Sequence, residues 1–307
     1  MHSRISRRNF FKFSGQTALA LTGFGLLKNL GSAVEPFQRG GNPRFSLSIA
    51  AYSFRDFFKS KDSAKEINLF QFIDFCAEQG CQGAELTSYY FPEPLTDEYL
   101  RQIRRHCFLR GIEVSGTACG NNFALPKGEK LTEQINSVKK WVDHAAVMGA
   151  PHIRVFAGVA AKGLTEAEAR TLCIGALEEC SEYAGAKGVF LGLENHGGIV
   201  AKPDGLLEIV KAVQSRWLGI NLDTGNFHTA DPYADIARCA PYAVNVQLKA
   251  AMRPEGVKAR KPADFKRLFK ILRDANYQGY VVLEYEEEED PWRAIPGLVK
   301  KMKKLAA

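Results

Sequence analysis

The sequence lacks several features that would each assign it to a class of protein. Its seven cysteines include no CxxC pair, which excludes a disulfide framework and a thiolate zinc site of the usual spacing. Beyond the N-terminal segment, no apolar run reaches the roughly 20 residues of a membrane-spanning helix. The 307 residues contain only 6 histidines. We therefore expect a soluble globular protein without a thiolate zinc site or a histidine-rich metal cluster. A single disulfide in an oxidising compartment stays compatible with the sequence, which does not say which pair would form it.

The first 33 residues lack any acidic residue and differ from the rest of the chain. The sequence Ser-Arg-Arg-Asn-Phe-Phe-Lys at 6–12 matches the twin-arginine export motif. A mildly apolar stretch follows it, and then a small-residue segment that resembles a cleavage site. An ordinary basic helix or an uncleaved anchor is the alternative. We predict a twin-arginine signal peptide over residues 1–33, a linker over 34–43, and a mature domain over 44–307 in the periplasm or another extracytoplasmic space.

The basic charge of the chain is concentrated in that N-terminal segment. Removing its five arginines and lysines lowers the formal net charge from +7 to +2. A protein that binds DNA or RNA needs a strong basic patch, because the phosphate backbone dominates affinity. We therefore expect no nucleic-acid partner. We also expect no stable membrane span in the mature chain, and a homo-oligomer is compatible with the sequence.

Short β-rich runs alternate with longer helical patterns after residue 43. The run Val-Phe-Leu-Gly-Leu at 189–193 is apolar on consecutive residues, as in a strand that is covered on both faces. Two capping boxes, Ser63 with Glu66 and Thr165 with Glu168, mark predicted helix starts. The predicted strands are Ser46–Ala51, Gly83–Leu86, Ile112–Thr117, His152–Phe156, Val189–Glu194, Leu218–Asp223, Ala243–Leu248 and Tyr280–Glu284.

Eight repeats of a strand followed by a helix predict the α/β class and a closed sheet. Parallel strands joined by right-handed helical crossovers close into a (β/α)₈ barrel, which typically takes about 250 residues. No Pro-, Gly- or Ser-rich segment divides residues 44–307. The sequence therefore predicts a single TIM barrel, whose active site lies at the C-terminal ends of the strands.

Four of the late predicted strands end in an oxygen ligand. These are Glu194, Asp223, Gln247 and Glu284. Carboxylate and amide oxygens are the ligands that Mg²⁺ and Mn²⁺ prefer. Carboxylates that lie this close repel one another unless a cation lies between them. We therefore predict a divalent metal at this end of the barrel.

Five segments resemble the xylose-isomerase-like barrel superfamily of sugar phosphate isomerases and epimerases. They are Gly-Ala-Glu-Leu (83–86), Leu-Glu-Asn-His-Gly-Gly (193–198), Asn-Leu-Asp-Thr-Gly-Asn (221–226), Val-Gln-Leu-Lys (246–249) and Leu-Glu-Tyr-Glu (283–286). The resemblance covers roughly residues 45–300. By position it implies that the metal ligands are Glu194, Asp223, Gln247 and Glu284.

Two positions depart from the pattern of that superfamily. Gln247 and Asn226 each stand where many members have histidine. Both departures remove an imidazole, so they favour Mn²⁺ or Mg²⁺ and disfavour Zn²⁺.

The resemblance implies proton transfer beside the carbonyl of a sugar or keto-polyol. The metal would stabilise the developing enediolate, while Glu194 and Glu284, on different strands, would remove and return the proton as catalytic residues. The same arrangement would serve a dehydratase or lyase if a β-hydroxyl left instead. The residues alone do not separate the two reactions, and the expected partner is an unphosphorylated carbohydrate in either case.

Four further residues are candidates for contacts with the substrate. Glu85 resembles a substrate-hydroxyl contact of the superfamily, with a structural salt bridge as the alternative. His196 is placed either to contact substrate or to hold Glu194. Asn226 follows Asp223 in a site loop. Lys249 either faces the site or covers the rim of the barrel.

Two rival functions follow from the same barrel. An abasic-site nuclease requires several histidines and a basic surface, which this sequence lacks. A non-catalytic secreted sugar-binding barrel with a decayed metal site is favoured by the missing histidines. The retained carboxylates count against it, because without a metal or a reaction their mutual repulsion has no compensation.

Overall fold

The eight predicted strands form a closed, all-parallel barrel in a computed structural model that describes residues 34–307. Each strand end lies within two residues of its predicted position. The prediction of a single (β/α)₈ barrel is therefore confirmed. The predicted twin-arginine signal lies outside the described residues and stays a prediction. The barrel strands are β1 Arg44–Ala50, β2 Gly83–Thr87, β3 Glu113–Ala118, β4 His152–Phe156, β5 Phe190–Glu194, β6 Leu218–Asp223, β7 Ala243–Lys249 and β10 Gln278–Glu284.

Helices lie outside the sheet and alternate with its strands. A short antiparallel pair, β8 Ala251–Met252 and β9 Lys261–Pro262, lies in the loop between β7 and the next helix. No helix within residues 34–307 is long and apolar enough to cross a membrane. The helices are α1 Arg55–Phe58, α2 Leu69–Glu78, α3 Asp97–Arg110, α4 Glu129–Met148, α5 Glu166–Ala186, α6 Pro203–Ala212, α7 Pro232–Cys239, α8 Phe265–Asp274 and α9 Pro291–Ala306.

One of the two predicted capping boxes is present. Thr165 accepts a hydrogen bond from the backbone of Glu168, and the Glu168 carboxylate accepts from the Thr165 backbone in return. The box predicted at Ser63 is wrong, because α2 begins later, with Asn68 and Gln71 forming the reciprocal pair. Asparagine is at least as good an N-cap residue as serine, so the later cap competes well for the helix start.

The interior of the barrel is polar, whereas barrels of this type are usually filled by branched apolar side chains. Asn245 and Gln247 on β7 donate hydrogen bonds to Glu85 on β2. Because β7 and β2 are not neighbours in the sheet, these bonds cross the barrel. Side chains alternate along a strand, so Val246 and Leu248 point outward and are buried under the helices.

A glycine makes room for another polar residue in this interior. A Cβ atom at Gly116 on β3 would lie 1.9 Å from the ring of His152 on β4. His152 is therefore packed where only glycine fits beside it. Its side chain is 5% exposed, and burial lowers its pKa to about 4. The imidazole is neutral there.

Residues 34–39, which belong to the predicted linker, lie against the N-terminal end of the barrel. The Phe37 ring packs edge-on to Phe190 at the start of β5, with 6.1 Å between centroids. The Phe37 amide donates to the Pro241 carbonyl at 3.0 Å, and Arg39 donates to the carbonyl of Ala243 at 2.6 Å. This segment covers the end of the barrel opposite to the strand-end carboxylates.

The seven cysteines are all buried and all free thiols. Burial raises the pKa of Cys81, Cys107 and Cys119 to about 12. They pack as small apolar side chains in the layer between sheet and helices.

Candidate active site

The predicted metal ligands lie on four strands that are neighbours in the barrel. Glu194, Asp223 and Glu284 are the last residues of β5, β6 and β10, and Gln247 is two residues from the end of β7. The order of the sheet places β7 between β6 and β10. All four side chains are buried, and the structure thus brings these four predicted residues to one end of the barrel.

Glu194 has three partners that fix both of its oxygens. Arg154 on β4 lies 2.9 Å from Oε2 through its Nε atom. His196 Nδ1 and Asn226 Nδ2 each lie 2.9 Å from Oε1. Burial opposes ionisation of this carboxyl, but Arg154 and His196 outweigh it and hold the pKa of Glu194 below its usual range. Glu194 is therefore a carboxylate near neutral pH.

Lys249 lies among three further carboxylates. Its Nζ atom is 3.3 Å from Asp223 Oδ2, 3.0 Å from Glu284 Oε2 and 2.9 Å from Glu286 Oε1. The side chain is only 4% exposed. Burial disfavours the charged amine, yet the three carboxylates raise the pKa of Lys249 well above its usual range. Lys249 therefore faces the site, which resolves the two alternatives that the sequence left open.

Asp223 and Glu284 are less well compensated than Glu194. Burial raises the pKa of Asp223 to about 8, with Lys249 opposing and the charges of Glu194 and Glu284 adding to it. Burial likewise raises the pKa of Glu284, and Lys249 again opposes. Asp223 and Glu284, which share the ammonium of Lys249, can therefore carry a proton in a pH range where Glu194 is ionised. We call Glu194, Asp223 and Glu284, with Arg154 and Lys249, the carboxylate layer.

The expectation that only a metal or a reaction could compensate these carboxylates is wrong. Two buried cations, Arg154 and Lys249, already lie against them. The cation that lies between Asp223 and Glu284 is the ammonium of Lys249. The repulsion argument therefore does not by itself separate an enzyme from a binding protein.

Gln247 is oriented toward a deeper set of side chains. Its amide nitrogen donates to Glu85 Oε1 at 2.7 Å, and its oxygen accepts from Asn221 at 2.7 Å. Asn245 completes the set by donating to Glu85 Oε2 at 2.9 Å and to Asn221 Oδ1 at 2.8 Å. We call Glu85, Asn221, Asn245 and Gln247 the amide layer.

Glu85 belongs to this amide layer and is 1% exposed. Burial raises the pKa of Glu85 to about 7, and the charge of Glu284 adds to this, while bonds from Gln247 and Asn245 oppose it. The structure brings Glu85 together with Gln247, and it places His196 and Asn226 beside Glu194 instead. A substrate contact for Glu85 stays a prediction.

Two residues of the site were missed by reasoning from the sequence. Arg154 shares the inward face of β4 with His152, and the two-residue period of the strand was the signal that could have found it. Glu286 begins an acidic run, 286–290, and was not among the candidate residues. It pairs with Lys249 and also with Arg260, at 3.5 Å. The spacing of Glu284 and Glu286 two residues apart was its signal.

A cavity of about 460 Å³ opens beside Glu194. Its wall includes His196, Gly197, Lys202, Asn226 and Glu255. The His196 side chain is 58% exposed, whereas its partner Glu194 is buried. A small molecule in this cavity would therefore meet His196 and Asn226 before it reached the carboxylate.

The donor set fits a hard divalent cation in its chemistry. Asp223 Oδ2 is buried and accepts no hydrogen bond from residues 34–307, although Lys249 lies 3.3 Å away. Carboxylate oxygens on three strands are the ligands such an ion requires. Among the described residues, however, no three His, Cys, Asp or Glu side chains form a ready metal site. The side-chain amide of Gln247 already uses its nitrogen and its oxygen in hydrogen bonds within the amide layer.

Comparisons with known proteins agree with this fold. The solved structures that resemble the chain include L-ribulose 3-epimerase (TM-score 0.69, 14% identity, covering 85% of this chain and 94% of that chain). They also include 3-keto-D-glucoside 4-epimerase from E. coli (0.65, 16%, 85% and 100%) and the protein IolI with a bound zinc atom (0.66, 18%, 85% and 96%). At these identities the likeness shows the fold.

Comparison with curated protein sequences gives no match. The model of one protein family, described as the xylose isomerase-like TIM barrel, matches residues 73–302. That range contains strands β2 to β10 and every residue of the carboxylate layer. The chain belongs to the xylose isomerase-like TIM barrel family.

Proposed function

We propose that this protein is a sugar isomerase or epimerase that moves a proton on a carbon beside a carbonyl group. The observation that carries the proposal is the pair Glu194 and Glu284. They are buried carboxyl groups on different strands of one site, and their pKa values are shifted in opposite directions. Two carboxyl groups made unequal by their environments are suited to act as base and acid. The resemblance to structures of two sugar epimerases supports the substrate class.

Glu194 is suited to remove the proton. Arg154 and His196 keep it ionised, and Asn226 fixes its second oxygen in one direction. Glu284 has a raised pKa and is suited to hold a proton and return it from another side of the bound carbon. His196, which is exposed in the adjoining cavity, would contact a hydroxyl of the sugar.

The buried cations have a part in the same step. Negative charge develops on the substrate oxygens when the proton leaves its carbon, and fixed positive charge nearby stabilises it. Lys249 and Arg154 are held in place by their carboxylate partners before substrate binds. They would supply this stabilisation with little reorganisation.

A divalent cation, Mn²⁺ or Mg²⁺ rather than Zn²⁺, would be held by Glu194, Asp223 and Glu284. Once bound it would polarise the carbonyl group and stabilise negative charge as a Lewis acid. Asp223 and Glu284 are already paired with Lys249, so the ion would compete with this ammonium for them. Gln247 would join the ligands only by giving up its bonds to Glu85 and Asn221.

Deuterium exchange tests the proposed reaction. D-fructose, D-psicose and L-ribulose would be incubated in D₂O with Mn²⁺ and followed by NMR, using the wild type, Glu194→Gln and Glu284→Gln. We expect deuterium at the carbon beside the carbonyl and a new epimer or isomer in the wild type. Each variant should lose about 10² to 10⁴-fold in rate, because general acid–base catalysis contributes that much.

Glu98→Gln on the exposed face of α3 is the matched control and should exchange at the wild-type rate. Exchange that continues unchanged in both site variants would contradict the roles given to Glu194 and Glu284. No exchange with any of the three sugars, with Mn²⁺, Mg²⁺ or Zn²⁺, would count against the proposed reaction. A product that has lost water would instead identify the dehydratase.

A further inference from the structure

A second and larger cavity, of about 670 Å³, has no residue of the carboxylate layer in its wall. It is formed by the loop after β2, the loop after β3 and helix α4. Its volume is in the range of about 300 to 1,000 Å³ that is typical of small-molecule sites. None of the proposed proton-transfer steps uses it.

Aromatic side chains make up much of its wall. Trp141 on α4 is half-buried, and its Nε1 donates to Thr117 at 3.0 Å. The Trp141 ring packs edge-on against Phe91 and His144, both at 5.3 Å between centroids. The indole is therefore held in one orientation at the cavity. Tyr89, on the other wall, is 41% exposed and presents part of its ring to solvent.

Polar groups accompany these rings. Glu93, Lys140 and His144 contribute one carboxylate, one ammonium and one imidazole, and Ser88 and Ser137 contribute hydroxyls. Burial and then Lys140 lower the pKa of His144. One acidic and one basic side chain leave the wall without a marked net charge. Rigid aromatic surface with scattered hydrogen-bonding groups suits a neutral polyol ring better than an anion such as a phosphate.

The cavity and the carboxylate layer meet at the loop after β3. Cys119 and Gly120 form part of its wall. The Cys119 carbonyl accepts from Arg154 at 2.8 Å, and the same guanidinium contacts Glu194 at 2.9 Å. The Tyr89 hydroxyl lies close to Gly120, 3.3 Å from the position that a Cβ there would take. Cys119 and Arg154 therefore link the wall of the cavity to Glu194.

We propose that this cavity is a subsite for a second sugar ring, so that a glycoside or disaccharide is preferred over a free monosaccharide. The subsite rests on the proposed function, since the first ring would lie at Glu194. Tyr89 and Trp141 contact the apolar faces of the second ring, and the polar side chains of the wall bind its hydroxyls. Arg154 contacts both the loop that lines the cavity and the base of the reaction.

Ligand titration tests the subsite. Cellobiose, maltose and D-glucose would be titrated by calorimetry and by ligand-observed NMR into the wild type, Tyr89→Ala and Trp141→Leu. Phe108→Ala is the control, because Phe108 is an aromatic residue on α3 that is 81% exposed and is not part of the wall. We expect at least one disaccharide to bind about tenfold more tightly than glucose to the wild type and the control.

That preference should fall to about twofold or less in Tyr89→Ala, with glucose binding unchanged. Because Tyr89 is exposed, its loss does not remove core packing. Trp141→Leu should act in the same direction. A disaccharide preference that persists in both variants, or that is absent from the wild type, would overturn the subsite.

The double variant Glu194→Gln/Glu284→Gln separates this proposal from the proposed reaction. It should lose proton exchange and keep the preference for the disaccharide. If the wild type shows the Tyr89-dependent preference but exchanges no proton on any sugar, the subsite stands and the proposed reaction fails. If exchange occurs but no disaccharide is preferred, the reaction stands and the subsite fails.

Discussion

The carboxylate layer and the amide layer hold glutamates of nearly equal burial in different ways. Glu194 is 3% exposed and Glu85 is 1% exposed. Glu194 contacts the guanidinium of Arg154, whereas Glu85 is bonded to the neutral amides of Gln247 and Asn245. The pKa of Glu194 lies below its usual range, while burial raises that of Glu85 to about 7.

This difference shows that burial alone does not fix the charge of a carboxyl group inside the barrel. A cationic partner offsets the cost of desolvation, and amide donors offset only part of it. The layer nearer the strand ends thus holds two fixed cations among its carboxyl groups. The layer beneath it is a hydrogen-bonded network that contains one acid able to titrate near neutrality.

Removal of the shared cation should break the carboxylate layer most severely. In Lys249→Met, the groups Asp223, Glu284 and Glu286 lose their common partner inside the protein. Breaking a buried ion pair in this way costs about 3–5 kcal/mol. Urea unfolding at pH 7 would measure the loss of unfolding free energy.

Arg260→Met is the matched control, since it removes a more exposed partner of the same Glu286 and should cost about 0–1 kcal/mol. We expect Mn²⁺ to restore part of the stability of Lys249→Met, because the ion would take the place of the lost ammonium. Equal stability of Lys249→Met and the wild type in the absence of metal would show that the ion pairs in this layer are not needed.

The pH dependence of stability should distinguish the amide layer. Folding raises the pKa of Glu85 from the ordinary 4.5 to about 7, so the folded protein binds more protons between these values. Stability from this group is therefore present at low pH and is lost as pH rises toward 7 and beyond. The difference between these two pKa values corresponds to about 3 kcal/mol of unfolding free energy.

Glu85→Gln should remove this dependence. We would measure the unfolding free energy of Glu85→Gln and of the wild type in urea at pH 5 and at pH 8. The difference should favour the variant more at pH 8 than at pH 5, by up to about 3 kcal/mol. Glu98→Gln, at an exposed position, should show no such change. A difference between Glu85→Gln and the wild type that is constant from pH 5 to pH 8 would mean that Glu85 does not titrate in this range.

The smallest effect concerns the exposed edge of the carboxylate layer. The hydrogen bond to Glu194 raises the pKa of His196. In Glu194→Gln that pKa should fall toward the ordinary value for histidine, as an NMR titration of the ring protons would show. An unchanged titration would indicate that His196 is not paired with Glu194 in solution.

The strand-end residues could be predicted because their positions depend on local pattern. Each of Glu194, Asp223 and Glu284 directly follows an apolar run, and the ends of parallel strands meet at one end of a barrel. The helix cap at Thr165 was equally local. The cap at Ser63 failed because Asn68 offered a competing one five residues later.

The pairing of charges could not be predicted in the same way. Gln247 stands at a ligand position in the sequence, yet its amide bonds to Glu85, which is 162 residues away in the chain. Whether Lys249 faced the site or covered the rim depended on the direction of its side chain. The inward face of β4, which carries Arg154, was likewise undetermined.

The sequence by itself determined the number and order of the eight barrel strands and, to within one residue, where each ends, because hydrophobic periodicity and capping act over a few residues. Only the tertiary structure decided which cation meets which carboxylate. Closure of the barrel brings side chains of non-neighbouring strands, such as β2 and β7, within 3 Å of one another. The charge state of each buried group then follows from the partners that closure provides.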